Sequence, residues 1–192
     1  MLAGLLLVGS VVAFFVPVAP QMLDWQPMLA PREPWRAWTA AFVHLSGQHL
    51  AANVFGTLLV GAFGVVARVP WRIVAAWLVA WPLTHAGLLV EPGLLHYGGL
   101  SGMLHAGVAC AAIHLVAAGT ERRQAIGVAT LALLIVKVIS ESPWGPALRY
   151  LSNWDIAIAP LVHACGLIAG FATATVVEVL HRWHERATPA SS

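Results

Sequence analysis

Ser101 lies in the run Gly98-Gly99-Leu100-Ser101-Gly102, which opens one apolar stretch, and His163 sits near the start of a later one. A serine hydroxyl is a poor nucleophile until a base takes its proton, so the simplest chemistry for this pair is a nucleophile with its base. Attack on a carbonyl builds an oxyanion that needs donors aimed at it. His49 and Asn53, four residues apart, fall on one side of a predicted helix and offer a ring N–H and an amide NH2. The Ser101 backbone N–H, at a helix start, has no intrahelical partner and is a third candidate donor. Gly98, Gly99 and Gly102 allow tight turning beside the nucleophile. The carboxylates near these positions, Asp24, Glu33, Glu91, Glu141 and Asp155, all fall in predicted loops or at helix ends. None is placed to complete a triad, and a Ser–His dyad is the more economical expectation.

The elements that must hold these residues are membrane spans. The 192 residues are 59% hydrophobic and 9% charged, with mean hydropathy +0.80, more apolar than a soluble domain needs. Each crossing takes about 20 mostly apolar residues. Apolar runs at 2–20, 46–66, 71–90, 100–118, 123–140 and 158–180 predict an all-α bundle of six transmembrane helices in one domain covering 1–192. Arg68-Val69-Pro70, Glu91-Pro92-Gly93, Gly119 to Arg123 and Ser142-Pro143-Trp144-Gly145-Pro146 divide the runs. The first run has no preceding Lys or Arg, so it reads as a span rather than a signal peptide. Trp35 and Trp38 flank Arg36 in an interfacial loop after it. A cytoplasmic amino terminus puts Arg68, Arg72, Arg122, Arg123, Arg182 and Arg186 inside and only Arg32, Arg36 and Arg149 outside, favouring both termini inside. Lys137 falls within the fifth span, where it either snorkels or faces the bundle.

In that topology the second, fourth and sixth spans all start from the outer face, so Asn53 and His49, Ser101 and His163 share one shallow level. Polar groups clustered in hydrocarbon argue for a wet cavity and for function. Each residue also has an ordinary explanation: a membrane serine commonly bonds a neighbouring carbonyl, and Gly102 with Ala106, like Gly166 with Gly170, fits small-xxx-small packing. The coincidence of depth and type across three helices tips the balance. Cys110 and Cys165 each lie in an apolar segment and suggest neither a disulfide framework nor a metal site. The ten Lys and Arg form no basic run, which leaves nucleic-acid binding without support.

From Glu33-Pro34-Trp35-Arg36 through His44-Leu45-Ser46-Gly47-Gln48-His49 and Asn53 to Gly99-Leu100-Ser101-Gly102 and His163 with Gly166 and Gly170, the chain resembles the rhomboid intramembrane serine proteases. The resemblance implies Ser101 as nucleophile, His163 as base, and His49 and Asn53 at the oxyanion hole, with Gly99 and Gly102 in support and no cofactor. Tyrosine commonly stands four residues after that serine, packed on the catalytic histidine; here the residue is His105, which could orient His163 or take over the packing role, and packing is the expected one. Gly99 to His105, the compact chain and Ala159-Pro160-Leu161-Val162-His163 are similar to the rhombosortase subfamily. That likeness implies membrane-anchored protein substrates in the bacterial inner membrane, cut on the periplasmic side at a Gly-Gly-containing C-terminal sorting tail. Glycine weakens a helix by roughly 1 kcal/mol relative to alanine, so such a site unwinds readily.

Two other classes compete. Six histidines at or near membrane depth, His44, His49, His85, His105, His114 and His163, could ligate haem or a metal. His-Glu-x-x-His is absent, however, and His181-Arg182-Trp183-His184-Glu185 reads as a solvated tail. A noncatalytic rhomboid relative that binds membrane helices is the second, and retention of both Ser101 and His163 argues against it.

Overall fold

The structure, a computed structural model, describes residues 2–16, 20–91 and 93–187. Residues 17–19 of the first apolar run, Pro92 of one divider and the small-polar tail at 188–192 lie outside them. Seven α-helices are present among the described residues: α1 (Leu2–Phe15), α2 (Arg36–Thr39), α3 (Gly47–Val66), α4 (Trp71–Ala86), α5 (Ser101–Ala118), α6 (Glu121–Ser140) and α7 (Pro160–Ala187). Four segments are long and apolar enough to cross a bilayer: Gly47–Val66, Trp71–Val90, Glu121–Ser140 and Pro160–Ala187. α1 and α5 are apolar but shorter.

Local chemistry sets the helix starts that matter. Ser46, in extended conformation, caps α3 by accepting the His49 backbone N–H on its Oγ at 3.0 Å, which fixes His49 in the first turn. Pro70 precedes α4, and Pro160 opens α7, where a missing N–H costs nothing. Several predicted boundaries move, and the first span is one of them: α1 ends at Phe15 rather than at 20, and Pro20 already begins a 3-10 turn. Arg122 and Arg123 fall inside α6 rather than in a divider, because Glu121 follows Thr120 directly into the helix and its acid suits the N-terminal dipole. α7 runs on to Ala187, past the predicted end at 180, so the largely exposed His181–Glu185 stretch is the end of the helix itself, with His181 Nε2 3.3 Å from Glu185 across one turn.

α5 lies at the centre, packed against α3, α4, α6 and α7, while α1 leans on α3. Its contact with α7 is made by small residues. A Cβ on Gly166 would land on the Gly102 carbonyl group, one on Gly170 would strike the Ala106 carbonyl oxygen, and one on Gly102 would lie 2.6 Å from Val162 Cγ2. The two backbones therefore touch, as small-residue packing between membrane helices allows. Outward faces remain apolar: Val65, Val66 and Trp71 are 78%, 81% and 82% exposed. Such a surface suits lipid and would be an aggregation hazard in water.

The ends of the bundle differ. At the Ser101 end, the buried Arg36 gathers the loop before α3: Nη1 donates to the carbonyls of Gln21 (2.8 Å) and Asp24 (3.0 Å) and lies 3.2 Å from Asp24 Oδ1, and Nε pairs with Glu33. Trp25 and Tyr97 exchange backbone hydrogen bonds of 2.7 and 2.9 Å, tying that loop to the segment entering α5. At the other end, buried Glu178 of α7 receives Arg72 of α4 at 3.3 Å and His114 of α5 at 2.8 Å. At 1.5 Å per residue this cluster lies roughly 22 Å along α7 from His163.

Candidate active site

The segment entering α5 shapes the site. Gly99 has φ +126°, a conformation side-chain-bearing residues avoid, and its Cβ would sit 2.6 Å from His49 Nε2 and 3.6 Å from Asn53 Nδ2. The backbone thus passes directly against both α3 side chains before Ser101 begins α5. His49 Nδ1 accepts the Leu45 N–H at 3.4 Å, so its proton lies on Nε2, the nitrogen facing Gly99. Thr57 Oγ1 donates to the Asn53 carbonyl at 2.7 Å. His49, Asn53, Ser101, His105 and His163 all line one cavity of about 560 Å³, with Lys137 on its wall.

Ser101 Oγ and His163 Nε2 are 3.0 Å apart. The other ring nitrogen, Nδ1, is 2.6 Å from Glu141 Oε2. A carboxylate at that distance accepts a hydrogen bond from Nδ1–H, which keeps the ring proton there and leaves Nε2 unprotonated and able to accept the serine proton. Tyr97 OH donates to the Gly99 carbonyl at 3.2 Å and lies 3.3 Å from Ser101 Oγ. Burial pushes its phenol up to about 12, against the pull of Ser101 and the Gly102 backbone, so Tyr97 stays protonated near neutrality.

His105 stacks on His163 with ring centroids 4.2 Å apart and planes 13° from parallel, as the packing role expects. Its Nδ1 donates to the Ser101 carbonyl at 2.6 Å, leaving Nε2 to accept from Lys137 Nζ, also at 2.6 Å. Lys137 Nζ lies 2.9 Å from Glu141 Oε1 and 3.3 Å from His163 Nδ1. Burial alone would raise the Glu141 carboxyl, but the bonds to His163 and Lys137 outweigh it and hold the group down at about 2.

One sequence expectation changes and one open alternative is decided. The acid thought to be out of reach is Glu141, which caps the end of α6 and turns in to the imidazole. Of the two readings left open for Lys137, the structure takes the one that faces the bundle. Their signal was present: Lys137 and Glu141 are four residues apart and share a helix face, and a lysine within a span marks a site by default. Tyr97 stands four residues before Ser101, but it precedes the helix, so the contact comes from the turn through Gly98 and Gly99 and helical spacing gave no warrant for it.

Among the described residues, one group of metal-ligating side chains converges, His105, Glu141 and His163, with ligand atoms within 4.8 Å of one another. Two histidines and a carboxylate are donors zinc accepts. Here the Lys137 ammonium already stands among them, so a dication would have to displace it. Elsewhere the histidines serve the scaffold: His85 Nδ1 donates to the Ala37 carbonyl at 2.6 Å, and His44 Nδ1 to that of Phe42 at 3.2 Å.

Apolar helices around a buried imidazole with a half-buried serine and carboxylate define a helical membrane protein with the parts of a serine hydrolase. The rhomboid domain model matches residues 31–179, most of the chain, and this chain belongs to the rhomboid family, whose members are intramembrane serine proteases acting on membrane proteins within the bilayer. No curated protein matches it.

Proposed function

We propose that this chain is an endopeptidase of rhombosortase type that cuts the C-terminal tail of a membrane-anchored protein. Ser101 attacks the scissile carbonyl while His163 takes its proton and then passes it to the leaving amine. His49, Asn53 and the Ser101 backbone N–H stabilise the oxyanion. The observation that carries the reading is the 3.0 Å contact between Ser101 Oγ and His163 Nε2 in a cavity shared with His49 and Asn53. Gly99 and Gly102 support it by letting α5 approach α3 and α7 closely.

The topology of the proposal is six spans, with α1 and α5 joining the four long apolar segments, both termini cytoplasmic and the site opening to the periplasm of the inner membrane. The arginines support that orientation: Arg72, Arg123 and Arg182 lie at the end remote from Ser101, where Arg123 donates to the Ala67 carbonyl and Arg182 to that of Ala117. A Gly-Gly site is the preferred substrate because glycines unwind easily and need no deep side-chain pocket. Coexpression with a tagged protein ending in a Gly-Gly motif, an apolar helix and a basic tail tests the proposal. Mass spectrometry should find a new carboxyl terminus at the glycines in the wild type and none with Ser101→Ala. An intact substrate beside the wild-type protein, with the two found bound together, would favour a noncatalytic helix binder.

A further inference from the structure

Resting on the serine-protease reading above, we propose that Glu141 and Lys137 are positioning residues which turn the Ser101–His163 pair into an anchored triad. Glu141 accepts His163 Nδ1–H, and Lys137, tethered to His105, holds the carboxylate in place. In a bare dyad nothing decides which imidazole nitrogen carries the proton, whereas a carboxylate on Nδ1 keeps Nε2 turned to the hydroxyl.

The step balances without a further reactant. Ser101 Oγ bonds to the scissile carbon as its proton passes to His163 Nε2. The imidazolium so formed lies against the Glu141 carboxylate, which stays ionised. The proton then goes from Nε2 to the amine nitrogen as the C–N bond breaks.

Each component is held on more than one side. Lys137 Nζ bridges His105 Nε2 (2.6 Å) and Glu141 Oε1 (2.9 Å). His105 is itself fixed by its bond to the Ser101 carbonyl and its stack on His163. Arg149 Nη1 donates to the Glu141 carbonyl at 2.6 Å, pinning the end of α6. The Lys137 and Glu141 side chains are 44% and 21% exposed, and ion pairs this open add little stability. The Lys137–Glu141 ion pair is therefore accounted for by its alignment on the imidazole rather than by its own stability, and what Glu141 adds to stability comes chiefly through His163. The groups facing His163 are Ser101 and His105 from α5 and Lys137 and Glu141 from α6; Tyr97 reaches Ser101 from the segment before α5, and Arg149 acts through the Glu141 backbone.

The test is the rate at which a fluorophosphonate labels Ser101 in the full-length protein in detergent, measured across pH. Glu141→Gln should slow labelling about 100-fold and move the acid limb of the profile to lower pH, because the imidazolium loses its anion. Lys137→Met should slow it less and move the limb to higher pH, because a neighbouring cation is gone. Glu141→Asp and Lys137→Arg should restore much of the rate, and they keep the test alive should either neutral variant fail to fold. Labelling of Glu141→Gln at the wild-type rate and pH profile would overturn the proposal and leave the protease reading standing. Equal losses at every pH, accompanied by lower melting temperatures and no rescue by the charged variants, would overturn it too by assigning the pair to structure. A wild-type protein that never labels at Ser101 would remove the protease reading itself, and the proposal with it.

Discussion

Gly166→Ala tests how strictly the α5–α7 contact sets the site. The new Cβ would lie 2.8 Å from the Gly102 carbonyl carbon and 3.3 Å from its Cα, and closer still to the oxygen. Comfortable carbon–carbon contact begins near 3.5 Å, so the helices must separate by at least about 0.7 Å. Ser101 is next to Gly102, and His163 lies one turn before Gly166. Rigid separation would stretch their 3.0 Å contact to about 3.7 Å, beyond hydrogen-bond range. A misplacement near 1 Å costs a reaction about 100-fold, and overpacking destabilises by about 1–3 kcal/mol. The assay is cleavage of the tagged tail substrate together with thermal unfolding in detergent. Gly64→Ala is the control: its Cβ meets nothing within 4 Å, and replacing a helical glycine should hold or raise stability by up to about 1 kcal/mol. Wild-type turnover and melting temperature in Gly166→Ala would refute the claim that this backbone contact positions the pair.

Ser101→Ala and His163→Ala should each abolish cleavage while expression persists, which immunoblots of substrate and enzyme would show. Asn53→Ala should retain measurable activity, with one oxyanion donor typically worth about 2.7–4 kcal/mol, read as a drop in kcat with little change in KM. The Glu141 carboxyl sits at about 2 in the folded chain against an ordinary value of 4.5. Its contribution to stability is therefore full above pH 4.5 and is lost as pH falls towards 2; acid titrations of melting temperature should be flatter across that window in Glu141→Gln. Arg36→Ala should destabilise the fold by about 1.5–3 kcal/mol, since buried Asp24 loses its guanidinium and keeps only His96 Nδ1 at 2.7 Å and Gln26 Nε2 at 2.8 Å, and a denaturation midpoint equal to wild type would contradict that.

The sequence by itself determined the solvent, the helices and much of the site. Apolar runs of spanning length are dictated by hydrocarbon, which leaves backbone polar groups no partner but the helix, so they can be read from composition and length. Ser101, His163, His49 and Asn53 stand out because polar residues at helix starts in apolar runs are costly unless used. Gly99, Gly102, Gly166 and Gly170 were legible as small residues at helical spacing, although only the packed helices reveal which carbonyl each one meets. Tertiary structure alone decided the partner on the far side of the imidazole. Spacing could pair Glu141 with Lys137, but Glu141 looked like a loop carboxylate because its reach to His163 depends on where α6 stops and how it leans on α5 and α7. Lys137 could equally have snorkelled. It faces inward because His105 and Glu141 offer its ammonium two acceptors, and lipid offers none.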